Sequence, residues 1–113
     1  MVSASEIFAA RERLIPYLKP TPFEYMPQIG SKVWLKLENA NRTHSFKIRG
    51  ALNAMLLLDE AARARGIVTA SSGNHAQGVA YAAQLLGLPA KILMPMHTPK
   101  RKVDSVRRFG AEA

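Results

Sequence analysis

Two short segments hold side chains whose types and spacing could do chemistry. The first, Ser45-Phe-Lys-Ile-Arg-Gly50, places Lys47 where a polar loop runs into a helix. A lysine attacks carbonyls only as the neutral amine, and both desolvation and a neighbouring cation favour that form. Phe46 and Ile48 offer apolar surface and Arg49 a second charge, so the segment could make Lys47 a nucleophile; a lysine without such company is a solvated surface charge. The second segment, Ser71-Ser-Gly-Asn-His-Ala-Gln-Gly78, lies between a strand and the start of a helix. The first turn of a helix leaves N–H groups unpaired and carries partial positive charge, which suits a carboxylate or phosphate. Gly73 and Gly78 permit close backbone approach, while Ser72, Asn74 and His75 bring donors and acceptors. The same residues would equally serve a capped helix, with Ser or Asn as the cap and His75 satisfied in the first turn.

The elements that must position these segments follow from periodicity. Ser3 and Glu6 have capping-box spacing, and Ile7, Phe8, Ala10, Leu14, Ile15 and Leu18 follow at helical intervals, predicting a first helix. Pro16, Pro20 and Pro22 then leave an extended segment from Lys19 to Phe23 and an irregular stretch to Gly30. Val33, Leu35 and Leu37 alternate with mixed side chains and predict a strand over 33–38. After a polar loop from Asn39 to His44, helical spacing runs unbroken from Phe46 through Ala51, Leu52, Met55, Leu56 and Ala62 to Arg65, with Gly66 as a left-handed stop. A β-branched strand over 67–70 leads into the second segment. Ala76, Val79, Ala80, Ala83 and Leu86 continue as a helix closed by Gly87, residues 90–95 form the next strand, and Thr98 with Pro99 reads as an N-cap and first helical residue. That helix stops at Gly110. Strands alternating with helices predict parallel βαβ units in a three-layer α/β architecture. The pattern is incomplete: Gly110-Ala-Glu-Ala113 stands where another strand is called for.

Composition narrows the function classes. With 48% hydrophobic and 21% charged residues over 113 positions, the chain is an ordinary globular sequence. No run approaches the roughly 18 apolar residues a membrane helix needs, and no basic stretch precedes an apolar core at the start, so a soluble, cytoplasmic protein is expected. The absence of cysteine excludes disulfides, thiolate metal sites and cysteine nucleophiles. A net charge of +8 raises nucleic acid as a partner. Its densest cluster, Lys100-Arg101-Lys102 with Arg107-Arg108, is interleaved with Val103, Val106 and Phe109 and is read as the solvated face of a helix, so no nucleic-acid partner is assigned.

Taken in order, Lys36-Leu-Glu-Asn39, Arg42-Thr-His-Ser-Phe-Lys-Ile-Arg-Gly-Ala51 and Ser71-Ser-Gly-Asn-His-Ala-Gln-Gly78 resemble the threonine dehydratase and serine racemase group of fold type II, tryptophan synthase β-like, pyridoxal-phosphate enzymes. Thr21-Pro-Phe23, Met94-Pro-Met-His-Thr-Pro-Lys100 and Arg108-Phe-Gly-Ala-Glu112 extend the likeness over nearly the whole chain. The resemblance implies that Lys47 holds pyridoxal 5'-phosphate as a Schiff base and moves the Cα proton, that Phe46 packs on the cofactor ring, and that Asn74 bonds its phenolic oxygen. It further implies that Ser72, Gly73, Asn74 and His75 receive the substrate carboxylate. Ser72 matches the opposite-face acid/base of the racemase branch. No metal is implied. Residues 1–66 would belong to the large cofactor domain and 67–113 to the small one, with the remainder of both absent; full-length relatives would be homo-oligomers acting on small amino acids. The activity implied is β-elimination from threonine or serine to a 2-oxo acid and ammonia, for which the cofactor ring serves as electron sink.

Two departures stand out. Asn41-Arg-Thr-His44 replaces the Gln-x-Thr-Gly of many relatives, and the glycine-rich phosphate cup and the ring-nitrogen partner have no counterpart in these residues. Ser71 and Ser72 suit a racemase, while Ala76-Gln-Gly78 leans toward dehydratases. A non-catalytic product of a truncated gene is the third alternative.

Overall fold

The capping box forms as read. Ser3 Oγ accepts from the Glu6 N–H and the Glu6 carboxylate takes the Ser3 N–H at 2.7 Å, opening α1 over Ala4–Leu14 in a computed structural model that describes residues 1–113. The expected continuation to Leu18 is a turn, in which the Tyr17 and Leu18 amides both return to the Leu14 carbonyl.

The stretch expected to be irregular contains a strand. β1, Phe23–Tyr25, pairs antiparallel with β2, Trp34–Lys36, setting Phe23 opposite Lys36 and Tyr25 opposite Trp34. Phe23 stacks on Trp34 with centroids 5.1 Å apart, a cross-strand contact that local periodicity does not reveal. The first predicted strand therefore belongs to a hairpin and not to a parallel unit.

The long helix expected from Phe46 to Arg65 is two helices. α2 covers Lys47–Leu56 and α3 covers Glu60–Ala64. The Leu57 and Leu58 amides fold back to the Ala54 and Met55 carbonyls, closing α2. Asp59 then takes the Ala62 N–H on Oδ1 at 2.6 Å, because a short acidic side chain binds the backbone better as a cap than within a helix.

The parallel unit forms where predicted. β3 (Ile67–Ala70), α4 (Asn74–Leu86) and β4 (Ala90–Leu93) make one βαβ crossover, with Ile67 beside Ala90 and Ala70 beside Leu93. Gly87 closes α4 at φ 65°, in the left-handed region that glycine enters without steric cost. α5, Lys100–Arg107, starts one residue later than expected: Pro99 is the N-cap, and Thr98 Oγ1 is buried without a partner instead of capping. After Gly110, Glu112 bridges to Lys91 in parallel, its amide bonding the Ala90 carbonyl at 2.9 Å and its carbonyl accepting from Ile92 at 2.8 Å.

α4 is the centre of the packing, touching α2, α5 and the β3–β4 pair. Ile48, Leu52, Ile92 and Val106 are fully buried around it, and Ala76, Ala80 and Ala83 keep its surface low so that the neighbours come close. Closest of all is Gly78. A Cβ there would lie 3.0 Å from the Lys47 carbonyl carbon and 3.1 Å from the Ile48 nitrogen, both backbone atoms that cannot swing away. Gly50 is the opposite case, a glycine within α2 whose Cβ would meet nothing within 4 Å.

Alanine should separate these two sites by sign. Gly78→Ala is expected to lower unfolding free energy by about 1–3 kcal/mol through overpacking. Gly50→Ala is expected to raise it by up to about 1 kcal/mol through helix propensity. Urea denaturation of both variants checks the pair.

Candidate active site

Lys47 is the first residue of α2, and the turn that holds it has an unusual start. The N-cap, Phe46, makes no side-chain capping bond, and the first turn contains no acid but two cations, Lys47 and Arg49. Positive charge at a helix N-terminus opposes the helix dipole. The compensation comes from outside the helix, in the Glu38 carboxylate. Arg49 grips Glu38 as a fork, Nε to Oε2 at 2.8 Å and Nη2 to Oε1 at 2.9 Å. Thr21 Oγ1 donates to Oε1 at 2.7 Å and Asn41 Nδ2 to Oε2 at 2.6 Å, so each carboxylate oxygen takes two donors. Lys36 Nζ ties the Thr21 carbonyl at 2.6 Å. The Arg49 hydrogen bonds hold the Glu38 carboxyl below its usual 4.5; the Thr21 and Asn41 bonds and the Arg49 charge act in the same direction, and burial opposes them.

Between Glu38 and Lys47 the chain makes a tight loop. Asn41, Thr43 and Ser45 are buried; Asn41 Nδ2 and Thr43 Oγ1 both point to the Ser45 carbonyl, each at 3.4 Å. His44 takes φ 54°, with Nδ1 3.1 Å from the Asn39 carbonyl. The Lys47 side chain emerges from this loop and lies with Nζ 4.8 Å from the Phe46 ring centroid, a cation–π distance.

The surroundings of Lys47 differ in part from those expected from its neighbours in the chain. Phe46 does contact the amine, but Ile48 points into the core and Arg49 is engaged by Glu38, so neither shapes the surroundings of Nζ as expected. Lys47 itself is exposed. Glu38, Thr21 and Asn41 were the residues sequence reasoning passed over. Glu38 did carry a signal, as the acid of Lys36-Leu-Glu-Asn39, yet nothing local indicates a partner 11 residues on.

The second segment has the geometry of an open helix terminus. Gly73 is the N-cap of α4 and no side chain caps it, so the capped-helix alternative does not form. The Gly73 amide bonds Ser71 Oγ at 3.3 Å, whereas those of Asn74, His75 and Ala76 meet no protein acceptor. His75 joins Phe46 and Lys47 on the wall of a cleft of about 560 Å³ between α2, β3 and α4, with Gly50, Met55 and Thr69 also lining it. Ser72 lines a neighbouring groove with Ser71, Leu93, Met94 and Pro95. Gly73 and Asn74 border neither.

These residues fit the carbonyl end of pyridoxal phosphate. An exposed primary amine stands on a cleft wall beside an aromatic ring; an uncapped helix terminus offers free N–H groups for an anion; and no atom would crowd a Cβ at Gly50 or Gly73. Residues 14–113 match the family model described as "Pyridoxal-phosphate dependent enzyme". The chain belongs to that family. It is 43% identical to an L-threonine ammonia-lyase of Thermotoga maritima over 99% of its own length and 29% of that protein's. It is 46% identical to an L-threo-3-hydroxyaspartate ammonia-lyase of a Pseudomonas species, over 96% of this chain and 35% of the relative. Among solved structures, maize serine racemase superposes with a TM-score of 0.91 at 39% identity, over 98% of this chain and 35% of the racemase. Fold type II is thus the architecture, and the chain spans about a third of the length of these relatives.

The Glu38 cluster predicts an acid limb in stability. A carboxyl depressed in the folded state stabilises fully above the unfolded value near 4.5, and that contribution falls away as pH drops through its lower folded value. Urea unfolding of the wild-type chain from pH 7 to pH 3 should therefore lose stability below 4.5 more steeply than Glu38→Gln does. A residual slope in the variant is expected from Glu6, which Ser3 shifts in the same direction.

Proposed function

We propose that this chain contributes the cofactor-holding lysine and the carboxylate-binding helix terminus of a pyridoxal-phosphate-dependent L-threonine or L-serine ammonia-lyase. The observation that carries the reading is the seating of Gly78 on the Lys47 backbone, which opens the uncapped end of α4 beside the amine of α2. Lys47 would hold the cofactor covalently and then take the Cα proton, with Phe46 against the ring and Asn74 on the ring oxygen. Ser72, Gly73, Asn74 and His75 would receive the substrate carboxylate at the α4 terminus, fixing the Cα–H bond toward the lysine. When bound, the cofactor supplies the electron sink that makes the Cα proton removable. Lys47 Nζ removes it. Departure of the β-hydroxyl and hydrolysis then give a 2-oxo acid and ammonia.

In the family-length protein, residues 1–66 are assigned to the larger cofactor domain and 67–113 to the smaller one, a division supported by the two separate sheets on either side of Gly66. We assign a homo-oligomeric, cytoplasmic enzyme; no helix is long and apolar enough to cross a membrane. One observation favours a second reading, serine racemase: Ser72 matches the opposite-face acid/base of the racemase branch, and maize serine racemase superposes on 98% of this chain. The relatives named for threonine and 3-hydroxyaspartate elimination favour the first.

Adding pyridoxal phosphate to the chain, trapping with borohydride and mapping peptides should place the adduct on Lys47, and Lys47→Ala should lose it. A wild-type adduct spread evenly over the lysines overturns the assignment. In the family-length protein, 2-oxo acid formed from L-threonine and L-serine should exceed D-serine formed from L-serine, and the reverse order would establish the racemase.

A further inference from the structure

The first turn of α2 is held by a residue that lies outside both chemical segments. We infer that Glu38 is the positioning residue of Lys47, fixing the 41–45 loop and the start of α2 so that the amine projects along Phe46 into the cleft. The inference rests on the reading of Lys47 as the cofactor-holding lysine.

α2 lacks a start of its own. Its N-cap has no capping bond and its first turn holds two cations, so isolated from its surroundings this turn would fray. Glu38 supplies the missing anion and reaches both sides of Lys47 in sequence. Through Arg49 it holds the helix two residues after the lysine, by a fork that fixes direction as well as distance. Through Asn41 it holds the loop before the lysine, and Asn41 passes the constraint on to the Ser45 carbonyl, two residues ahead of Lys47. Thr21 bonds the carboxylate from a third segment, the loop before β1, and fixes the Glu38 side chain itself. With Glu38 and Arg49 mostly screened from solvent, at 20% and 32% side-chain exposure, these bonds are less weakened by water than surface pairs are. No other carboxylate lies in the cluster, so no neighbouring acid can substitute.

The role separates from plain stability because it concerns one lysine among seven. Wild-type chain, Glu38→Gln and Arg49→Lys are each treated with pyridoxal phosphate under conditions where their circular dichroism spectra coincide, then reduced with borohydride and mapped. The readout is the labelling of Lys47 relative to Lys19, Lys91 and Lys100, which lie outside the cluster. Loss of charge-assisted hydrogen bonds of this kind should lower that ratio about tenfold in Glu38→Gln. Arg49→Lys keeps the charge and removes the fork, and its ratio should fall by a smaller factor. General loosening would move all four lysines together. A ratio unchanged in both variants overturns the role of Glu38 while leaving Lys47 as the cofactor lysine. A wild-type chain with no preference for Lys47 overturns the reading on which the inference rests. Should Glu38→Gln fail to fold, Arg49→Lys alone decides, since an unchanged ratio there already removes the link from Glu38 to α2.

Discussion

The contact of Gly78 with the backbone of Lys47 and Ile48 is the constraint on which the rest of the molecule turns. Two segments separated in the chain by residues 51–70 become one site because α4 lies directly on the first turn of α2, with no side chain between them at that point. Backbone contact fixes distance better than side-chain packing does, since neither partner has a rotamer to change. The alanines of α4 extend this low relief along the helix, and Ile48, Leu52 and Met55 of α2 fill the space beside it. Both helices therefore present their N-termini, the only parts of them with unpaired donors, to the same region of the fold.

The electrostatics follow from how few acids the chain has. Of eight acidic residues, Glu6 and Asp59 cap helices, Glu38 binds Arg49, and Glu12, Asp104 and Glu112 pair with Arg11, Lys100 and Lys91. Six of the eight thus have partners, and the excess of +8 remains as Lys and Arg without an acidic partner. Exposed pairs such as Arg11 with Glu12 contribute little in water. Glu38 differs because its partners come from α2 and two loops and its surroundings are partly dry. In the basic cluster at α5, Lys100 pairs with Asp104 one turn on, and Arg107 donates to the Ala113 carbonyl.

What could be read from the sequence was what neighbours in the chain determine. The Ser3 and Glu6 box, the stop at Gly87, the βαβ order from Ile67 to Leu93 and the placement of Lys47 and Asn74 at helix starts all depend on contacts within a few residues. What escaped depends on partners far away or on competition between local choices. β1 exists because Phe23 meets Trp34 across a hairpin, in a stretch where Pro20 and Pro22 suggested irregular chain. The break between α2 and α3 turns on Asp59, whose position is compatible with helical spacing but whose carboxylate prefers the Ala62 amide. Arg49 looked like a second cation for Lys47; only the fold brings Glu38 to neutralise it.

The β3–β4 pair shows the same division between local pattern and larger architecture. Ile67 and Ile92 face the α4 side, while Val68 and Leu93 on the other face are 66% and 57% exposed. An antiparallel sheet with one wet face would place polar side chains there, as alternation requires. Here the outward positions are mostly apolar, with Val68, Ala70 and Leu93 beside Lys91. Such a composition belongs to a parallel sheet covered on both faces, which is the three-layer arrangement of the fold. Within residues 1–113 two of the layers are present, the sheet and the helical layer centred on α4. Because the Lys47 cleft is walled by α2, β3 and α4, all from these two layers, the geometry of the lysine and the helix terminus is set without the third.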